Sequence, residues 1–410
     1  MITQNEINTA RHCISHALSC GASAARIYLN KCVTDSCTML NGELDKVTHS
    51  ADRSIYIYLF VDGRYGTFST NRLDCGELEG FIEKAIGMVR MLGEDVCRQL
   101  PDPERTAKDA KTGLELGLYD EAYDSIDAEQ RLANARRLSI YERLTADKEE
   151  RNYRLISEEC EYSCTSDDSY TVDSQGFEGR HAETSFGTFS EMTIEAADGC
   201  KYSGYWWQTA QKASDTDFET CGQKALERAV SQIGPKKRRS GKYRMVVDST
   251  VSSRLVSPIL TALNASSIQQ KMSFLEDSAG KQVFHEGMTL MDLARTPGKN
   301  GSRLFDTEGV ATKDAPVILN GIVQQYFVNT YMSAKMGIEP TVEDVSRPCL
   351  MPFIKDESLQ GEEKEVSLND ILKLAGNGIL VSGFNGGNCN PVTGDFSFGI
   401  EGFAFSKGKI

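Results

Sequence analysis

At four places a dipeptide of Asn-Gly or Asp-Gly stands between runs of β-forming residues: Asn41-Gly42, Asp62-Gly63, Asp198-Gly199 and Asn320-Gly321. A two-residue link of this kind supplies backbone at positive φ whose twist matches the flanking strands, so each one demands an antiparallel neighbour. The first follows Arg26–Val33 and joins Cys37–Leu40 to Glu43–Val47, and the second joins Arg53–Val61 to Arg64–Ser69. The third joins Phe189–Ala196 to Cys200–Gln208, and the last joins Val317–Leu319 to Ile322–Asn329. Further strands are expected from about Leu155, over Tyr243–Val247 as a buried strand, and over Ile379–Phe384 and Asp395–Phe405. Helical periodicity marks Gln4–Ser19, closed by Gly21, and a helix capped by Asp74 whose Leu78, Phe81, Ile82, Ala85, Ile86 and Val89 form one apolar face. Helices are also predicted over Asp127–Asp147, Asp217–Ile233 (stopped by Gly234-Pro235) and Val251–Asn264, with residues 95–125 as a long polar connection. Hairpins without sustained βαβ alternation define an α+β protein of antiparallel hairpins and packed helices. At about 150 residues per domain, 410 residues divide into an N-terminal α+β domain, 1–234, and a β-rich C-terminal domain, 235–410.

Composition removes several functions. Lys and Arg number 45 against 59 Asp and Glu, a net charge of −14, which opposes binding to a phosphate backbone. Lys236, Lys237, Arg238, Arg239, Lys242 and Arg244 form the only dense basic cluster, read as a solvated junction between domains. No apolar run approaches the ~20 residues of a membrane helix, and Met1–Ile7 lacks the basic start and apolar core of a secretion signal. The twelve cysteines are scattered without a CxxC pair, a usage that fits free thiols in a reducing cytoplasm.

Familiar catalytic patterns are missing. His12 and His16 are four residues apart on a predicted helix and could bind a metal, but without a third ligand they read as solvent-facing. His285-Glu286 opens like a zincin motif, yet Thr289 and Leu290 stand where the second histidine is needed, and His49 and His181 are isolated. There is no GxSxG elbow, P-loop or helix-opening GxGxxG. Asp306, Glu308, Glu339, Glu343 and Asp344 could pair as acid and base, but in a chain with 59 acidic residues coincidence is the better explanation.

Several stretches nevertheless resemble one family in its own order, the PmbA/TldD proteins, known as modulators of DNA gyrase and as metallopeptidases. They are Ala17-Leu-Ser-Cys-Gly-Ala-Ser-Ala-Ala-Arg-Ile-Tyr, Asn41-Gly-Glu-Leu-Asp, Asp62-Gly-Arg-Tyr-Gly-Thr and Asp173-Ser-Gln-Gly-Phe-Glu-Gly. Ser273-Phe-Leu-Glu-Asp-Ser-Ala-Gly-Lys-Gln-Val-Phe is the most specific block. Phe305-Asp-Thr-Glu-Gly-Val-Ala-Thr, Asn320-Gly-Ile-Val, Tyr331-Met-Ser-Ala-Lys-Met-Gly and Asn390-Pro-Val-Thr-Gly-Asp-Phe-Ser-Phe-Gly follow. The TldD-like members of the family carry an HExxxH helix shortly before the block at Ser273, whose histidines hold zinc while the glutamate activates water. Here that place reads Val256-Ser-Pro-Ile-Leu-Thr261, with neither imidazole nor carboxylate. The chain therefore resembles the PmbA (TldE) type, which lacks the metal ligands. It reaches Ile410 just after Lys407-Gly-Lys, where the family continues into further strands that bring a cysteine ligand in the metal-bearing type, so either the chain is incomplete or its terminal sheet is shortened.

The resemblance implies a metal-free subunit of a cytoplasmic TldD/TldE-type peptidase complex that acts in proteolysis or leader removal on unstructured peptides. It implies partnership with a TldD-like sibling, as a homo- or heterodimer, with no cofactor in this chain and zinc only in the sibling. No residue is assigned to catalysis or to metal. Asp306, Glu308 and Gly309, with Gly386, Gly387, Asn388, Gly394 and Asp395, are the candidates for walls of a peptide cleft or an interface, and turn chemistry is the competing explanation. An autonomous hydrolase and a regulatory protein acting on DNA gyrase are the alternatives.

Overall fold

Three of the hairpin dipeptides take the backbone that their residue types favour, with Asn41, Asp62 and Asn320 at φ 52°, 49° and 50° and the following glycines at 81°, 70° and 80°. The computed structural model describes residues 1–146, 151–351 and 367–410. It forms two units, Met1–Lys237 with Thr296–Phe305, and Arg238–Arg295 with Asp306–Ile410. No helix of the described residues is long and apolar enough to cross a membrane. The basic cluster from Lys236 to Arg244 is exposed throughout and straddles the 237/238 division.

In the first unit, β1 (Ala24–Leu40), β2 (Glu43–Val61), β3 (Arg64–Thr70), β4 (Tyr153–Asp173), β5 (Glu178–Ala196) and β6 (Lys201–Ala210) form one antiparallel sheet ordered β3-β2-β1-β4-β5-β6. The runs Arg26–Val33 and Cys37–Leu40 are one continuous strand, β1, and Glu43–Val47 and Arg53–Val61 another, β2. Asp35, which interrupts the apolar alternation of β1, is buried, 2.7 Å from Nδ1 of His49 and 3.1 Å from the Arg131 guanidinium. At the fourth dipeptide only Gly199 has positive φ, and β6 starts two residues later, because the Asp198 carboxylate accepts a hydrogen bond from the Cys200 N–H.

One face of this sheet carries the helices. Ile7, Ala10, Cys13, Ile14 and Ala17 of α1 (Gln4–Ser19) and Leu78, Ile82, Ala85, Ile86 and Val89 of α2 (Cys75–Val89) pack on Ile27, Leu29, Ile55, Ile57 and Leu59. Each such side chain removed from water contributes roughly 1.5–3 kcal/mol. Farther along the same strands, α3 (Ala128–Leu138) covers Cys37, Met39, Cys160, Tyr162 and Phe186, and α5 (Cys221–Val230) covers Met192 and Ile194.

The helix expected over Asp127–Asp147 is broken into α3 and α4 (Tyr141–Ala146), and its last residue lies outside the described ones. The cause is Glu158 of β4. Its buried carboxylate accepts hydrogen bonds from the Ser139 hydroxyl and from the N–H groups of Ile140 and Tyr141 (2.8 and 3.1 Å), taking donors that a continuous helix would use. The connection over 95–125 is also more ordered than its polarity suggests. Arg180, Ala182 and Thr184 of β5 donate backbone hydrogen bonds to Ala110, Gly113 and Leu118. Residues Thr296–Phe305 return to this unit, with the Gly298 N–H on the Leu116 carbonyl and the Phe305 ring edge-on to Phe177.

The second unit contains two smaller sheets. One is antiparallel, ordered β10-β9-β8-β11, from β8 (Leu290–Asp292), β9 (Ala315–Leu319), β10 (Ile322–Val323) and β11 (Pro348–Leu350). It shares a core of Leu260, Leu263, Leu275, Val317, Ile318 and Phe327 with α6 (Ser253–Ala262) and α7 (Ala265–Gln269). The strand expected over Ile322–Asn329 stops at Val323; beyond it Phe327 exchanges backbone hydrogen bonds with Leu263 and Ala265, and Asn329 caps α8 (Thr330–Met336). The other sheet is ordered β13-β12-β7, from β7 (Met245–Val247), β12 (Gly378–Cys389) and β13 (Phe396–Phe405), backed by Leu372 of α9 (Leu368–Ala375). Here β7 pairs in parallel with β12, and the buried strand expected over Tyr243–Val247 is half exposed: Tyr243 and Met245 face solvent and Val246 alone is buried.

Helix α5 lies so close to β6 that a Cβ at Gly204 would run into the backbone of Ala225 and Ala229. Gly204→Ala is therefore expected to destabilise the first unit by roughly 1–3 kcal/mol, read as a lower urea midpoint at unchanged m-value.

A pocket on helix α6 as the candidate functional site

Helix α6 begins after a turn that the Asp248 side chain caps by accepting from the Thr250 N–H, and it carries Pro258 in its interior. Arg254, Ser257, Pro258 and Thr261 recur at three- and four-residue steps and form a stripe on one side. This stripe, with Ser253 and Ala262, is one wall of a pocket of about 540 Å³. Phe274, Gly387, Asn388, Cys389, Pro391 and Phe398 form the other. The Arg254 guanidinium carbon is 5.2 Å from the centre of the Phe398 ring, a cation–π distance, and the Thr261 hydroxyl donates to the Ser257 carbonyl at 3.0 Å. The pocket thus combines one fixed cation, hydroxyls and an amide with apolar rings and prolines.

The far wall is shaped by an irregularity in the β12–β13 hairpin. Pairing shifts between Asn385 and Asn388, and Gly386 and Gly387 have φ of 55° and 73°. A side chain at Gly387 would collide with the Ser397 carbonyl, so glycine is required where the strand bulges toward the pocket. In the following turn the Asn390 N–H donates to the Asp395 carbonyl, the Gly394 N–H to the Asn390 carbonyl, and the Thr393 hydroxyl to the Asp395 carboxylate. Gly394 faces the ring of Phe274.

Of the residues singled out in the sequence, Gly387 and Asn388 line the pocket, Gly386 shapes its bulge, and Gly394 and Asp395 shape the adjoining turn. Asp306, Glu308 and Gly309 are turn and cap residues instead of cleft walls. The Asp306 carboxylate is 2% exposed and accepts from the N–H groups of Glu308, Val310 and Glu343 at 2.9–3.0 Å, while the Gly309 N–H donates to the Asp306 carbonyl. Glu308 accepts from the Thr330 N–H and hydroxyl, both at 2.8 Å, at the start of α8. Arg254, Ser257, Cys389 and Phe398 were not foreseen. The stripe of Arg254, Ser257 and Thr261 was visible as a periodicity, but apart from Phe274 the opposite wall comes from more than a hundred residues downstream.

Val256 packs in the core, and Ser257 and Thr261 face the pocket. A tetrahedral zinc ion requires imidazole, thiolate or carboxylate donors. The pocket offers hydroxyls, an amide, a single thiol and a guanidinium that repels a cation, so its residues do not fit the ion that a metallopeptidase helix would hold.

Taken together, this is a two-unit α+β protein with a groove-like pocket between a helix and an irregular hairpin of its C-terminal unit. Three family models match the chain: PmbA/TldA metallopeptidase domain 1 over residues 25–89, the central domain over 121–233 and the C-terminal domain over 240–410. The chain belongs to the PmbA/TldD family. It is 26% identical over 391 residues to the metalloprotease PmbA of Escherichia coli O157:H7, covering 95% of this chain and 82% of that one. A crystal structure of a candidate modulator of DNA gyrase from Bacteroides thetaiotaomicron superimposes with a TM-score of 0.90 at 36% identity, covering 100% of this chain and 89% of that one. TldE from Thermococcus kodakarensis shares the fold, with a TM-score of 0.76 at 17% identity over 98% of this chain and 88% of that one.

Replacing Asp306 by Ala would leave three backbone N–H groups without their acceptor. A loss of about 3 kcal/mol is expected in denaturant unfolding. Ligand binding at the α6 pocket should be unchanged in the folded fraction, since Asp306 does not line it.

Proposed function

We propose that this chain is the metal-free, PmbA/TldE-like subunit of a cytoplasmic TldD/TldE-type peptidase complex, which holds unstructured peptides for a sibling that carries the zinc and cuts. The observation that carries the reading is the α6 stripe. In a family whose names include metalloprotease, the helix that would bear HExxxH presents Ser257, Thr261 and Arg254 to its pocket. The resident zinc chemistry then belongs to the sibling, and this pocket's part is binding.

The pocket suits an extended chain better than a compact metabolite. Arg254 can pair with a carboxylate, and the rings of Phe274 and Phe398 and the prolines accept apolar side chains. Next to it β13 is an edge strand of its sheet, with Phe396 and Ile400 exposed. An edge strand recruits an extended peptide through main-chain hydrogen bonds with little sequence demand. The twelve cysteines are all unpaired, which supports the cytoplasmic assignment, and the net charge of −14 speaks against a nucleic-acid partner. The sibling could be met as a heterodimer, and a homodimer is the alternative assembly. A role on DNA gyrase is a second reading, favoured by the description of the Bacteroides thetaiotaomicron relative; contact would then be with the enzyme itself and not with DNA.

The test mixes the purified chain with an HExxxH-bearing sibling and an unstructured leader-type peptide. Co-elution with the sibling and at least tenfold faster cleavage than by the sibling alone are expected. Unchanged cleavage without co-elution, or peptide turnover by this chain alone, would overturn the reading. Ser257→Trp, which fills the pocket, should abolish the acceleration while preserving co-elution.

A further inference from the structure

Helices α1 and α2 carry two facing rows of metal-capable side chains. On α1 they are His12 and His16, continued by Cys20 at the helix C-cap, and on α2 Cys75, Glu79 and Glu83, each row at four-residue spacing. The sequence showed the histidine pair without a third ligand, and the fold supplies it from a helix some sixty residues away. The donors fall into two triads, His12–Cys75–Glu79 and His16–Cys20–Glu83, and within each the donor atoms lie within 4.8 Å of one another. We propose that this seam is a binding site for zinc-class divalent cations, with the primary ion held by His16, Cys20 and Glu83 and a second, weaker one held one helical turn away by His12, Cys75 and Glu79.

Geometry favours the first triad. Zinc bonds of about 2.0–2.3 Å in a tetrahedron place neighbouring donors roughly 3.3–3.8 Å apart. His16 Nε2 is 3.5 Å from Cys20 Sγ and 3.6 Å from Glu83 Oε1, so an ion enters with small side-chain movements. In the second triad His12 Nε2 and Glu79 Oε1 are in direct contact at 2.7 Å, and that pair must open first. A neutral imidazole, a thiolate and a carboxylate together bring two negative charges to a doubly charged cation, with water in the fourth position.

The support is rigid, because the opposite faces of both helices are locked in the core by Ala10, Ala17, Leu78, Ile82 and Ala85. Both triads are also reachable from solvent, with His12, Cys75 and Glu83 exposed and His16 and Cys20 partly so. Cys13, beneath the seam, does not compete. Its thiol is buried in the core between the helices and the sheet. An ion here would clamp α1 to α2. It belongs to the first unit and is independent of the peptide pocket, which has no comparable donor set.

The full-length chain, reduced and freed of metal with a chelator, would be titrated with zinc against a chromophoric indicator and, separately, with cobalt(II). Zinc should bind with one tight and one weaker equivalent and raise the unfolding midpoint by roughly 2–4 °C or more. Cobalt should give a thiolate-to-metal charge-transfer band. His16→Asn with Cys20→Ser should weaken the tight equivalent about 100-fold or more and abolish most of the band, whereas Cys75→Ser should remove only the weaker equivalent. Glu83→Gln, at an exposed position, repeats the test should the double variant fail to fold. No zinc binding to the parent chain, no thiolate band, or parental affinity in both the double variant and Glu83→Gln would overturn the proposal.

Discussion

The fold depends on the one-sided burial of a long antiparallel sheet. Strands β1, β2, β4 and β5 run 17, 19, 21 and 19 residues, and their inward positions keep one parity along most of that length, so two successive helix layers share one sheet face. Because the side-chain period in a strand is two, a one-residue slip would turn every inward residue outward, and the tight turns at Asn41-Gly42 and Asp62-Gly63 fix the register against it. Charges that fall on inward positions are retained only where they find partners. Asp35 has Arg131 and His49, and Asp168, 1% exposed in its side chain, accepts from the Ile2 N–H and from Arg180.

The second unit applies the opposite rule. Its sheets are smaller, many of its glycines take positive φ in turns and bulges, and irregular backbone shapes the pocket on α6. Loop and bulge residues such as Gly387 and Asn388 face a helix stripe of hydroxyls and a guanidinium, and apolar rings and prolines complete the lining. The paired donors on α1 and α2 are a separate feature of the first unit, created because two amphipathic helices that bury their apolar faces side by side must also align their polar rows.

Much of this architecture was readable in the sequence. The α+β class, the hairpins, the helices α1 and α2, and the resemblance to the PmbA/TldD family follow from turn dipeptides, periodicity and ordered motifs, and family models and structural relatives agree with them. The candidate site was only partly readable. Gly387 and Asn388 were marked by their glycine-rich context, but Asp306 and Glu308 looked like cleft carboxylates when their oxygens are engaged by backbone N–H groups, and no sequence pattern separates an acidic side chain that caps a turn from one that faces a ligand.

What the sequence determined by itself is what is encoded over a few residues: positive-φ turns, caps and alternation. Tertiary structure decided whatever needed a distant partner. Glu158 splits α3 from α4 by taking their backbone donors, Phe327 leaves the strand expected to run past Val323 to pair with Leu263 and Ala265, and the pocket forms where α6 meets a hairpin that begins at Gly378. Hydrogen bonds and packing act over a few ångströms in space without regard to separation along the chain, so local patterns fix the elements while contacts between distant segments fix where they end and what they face.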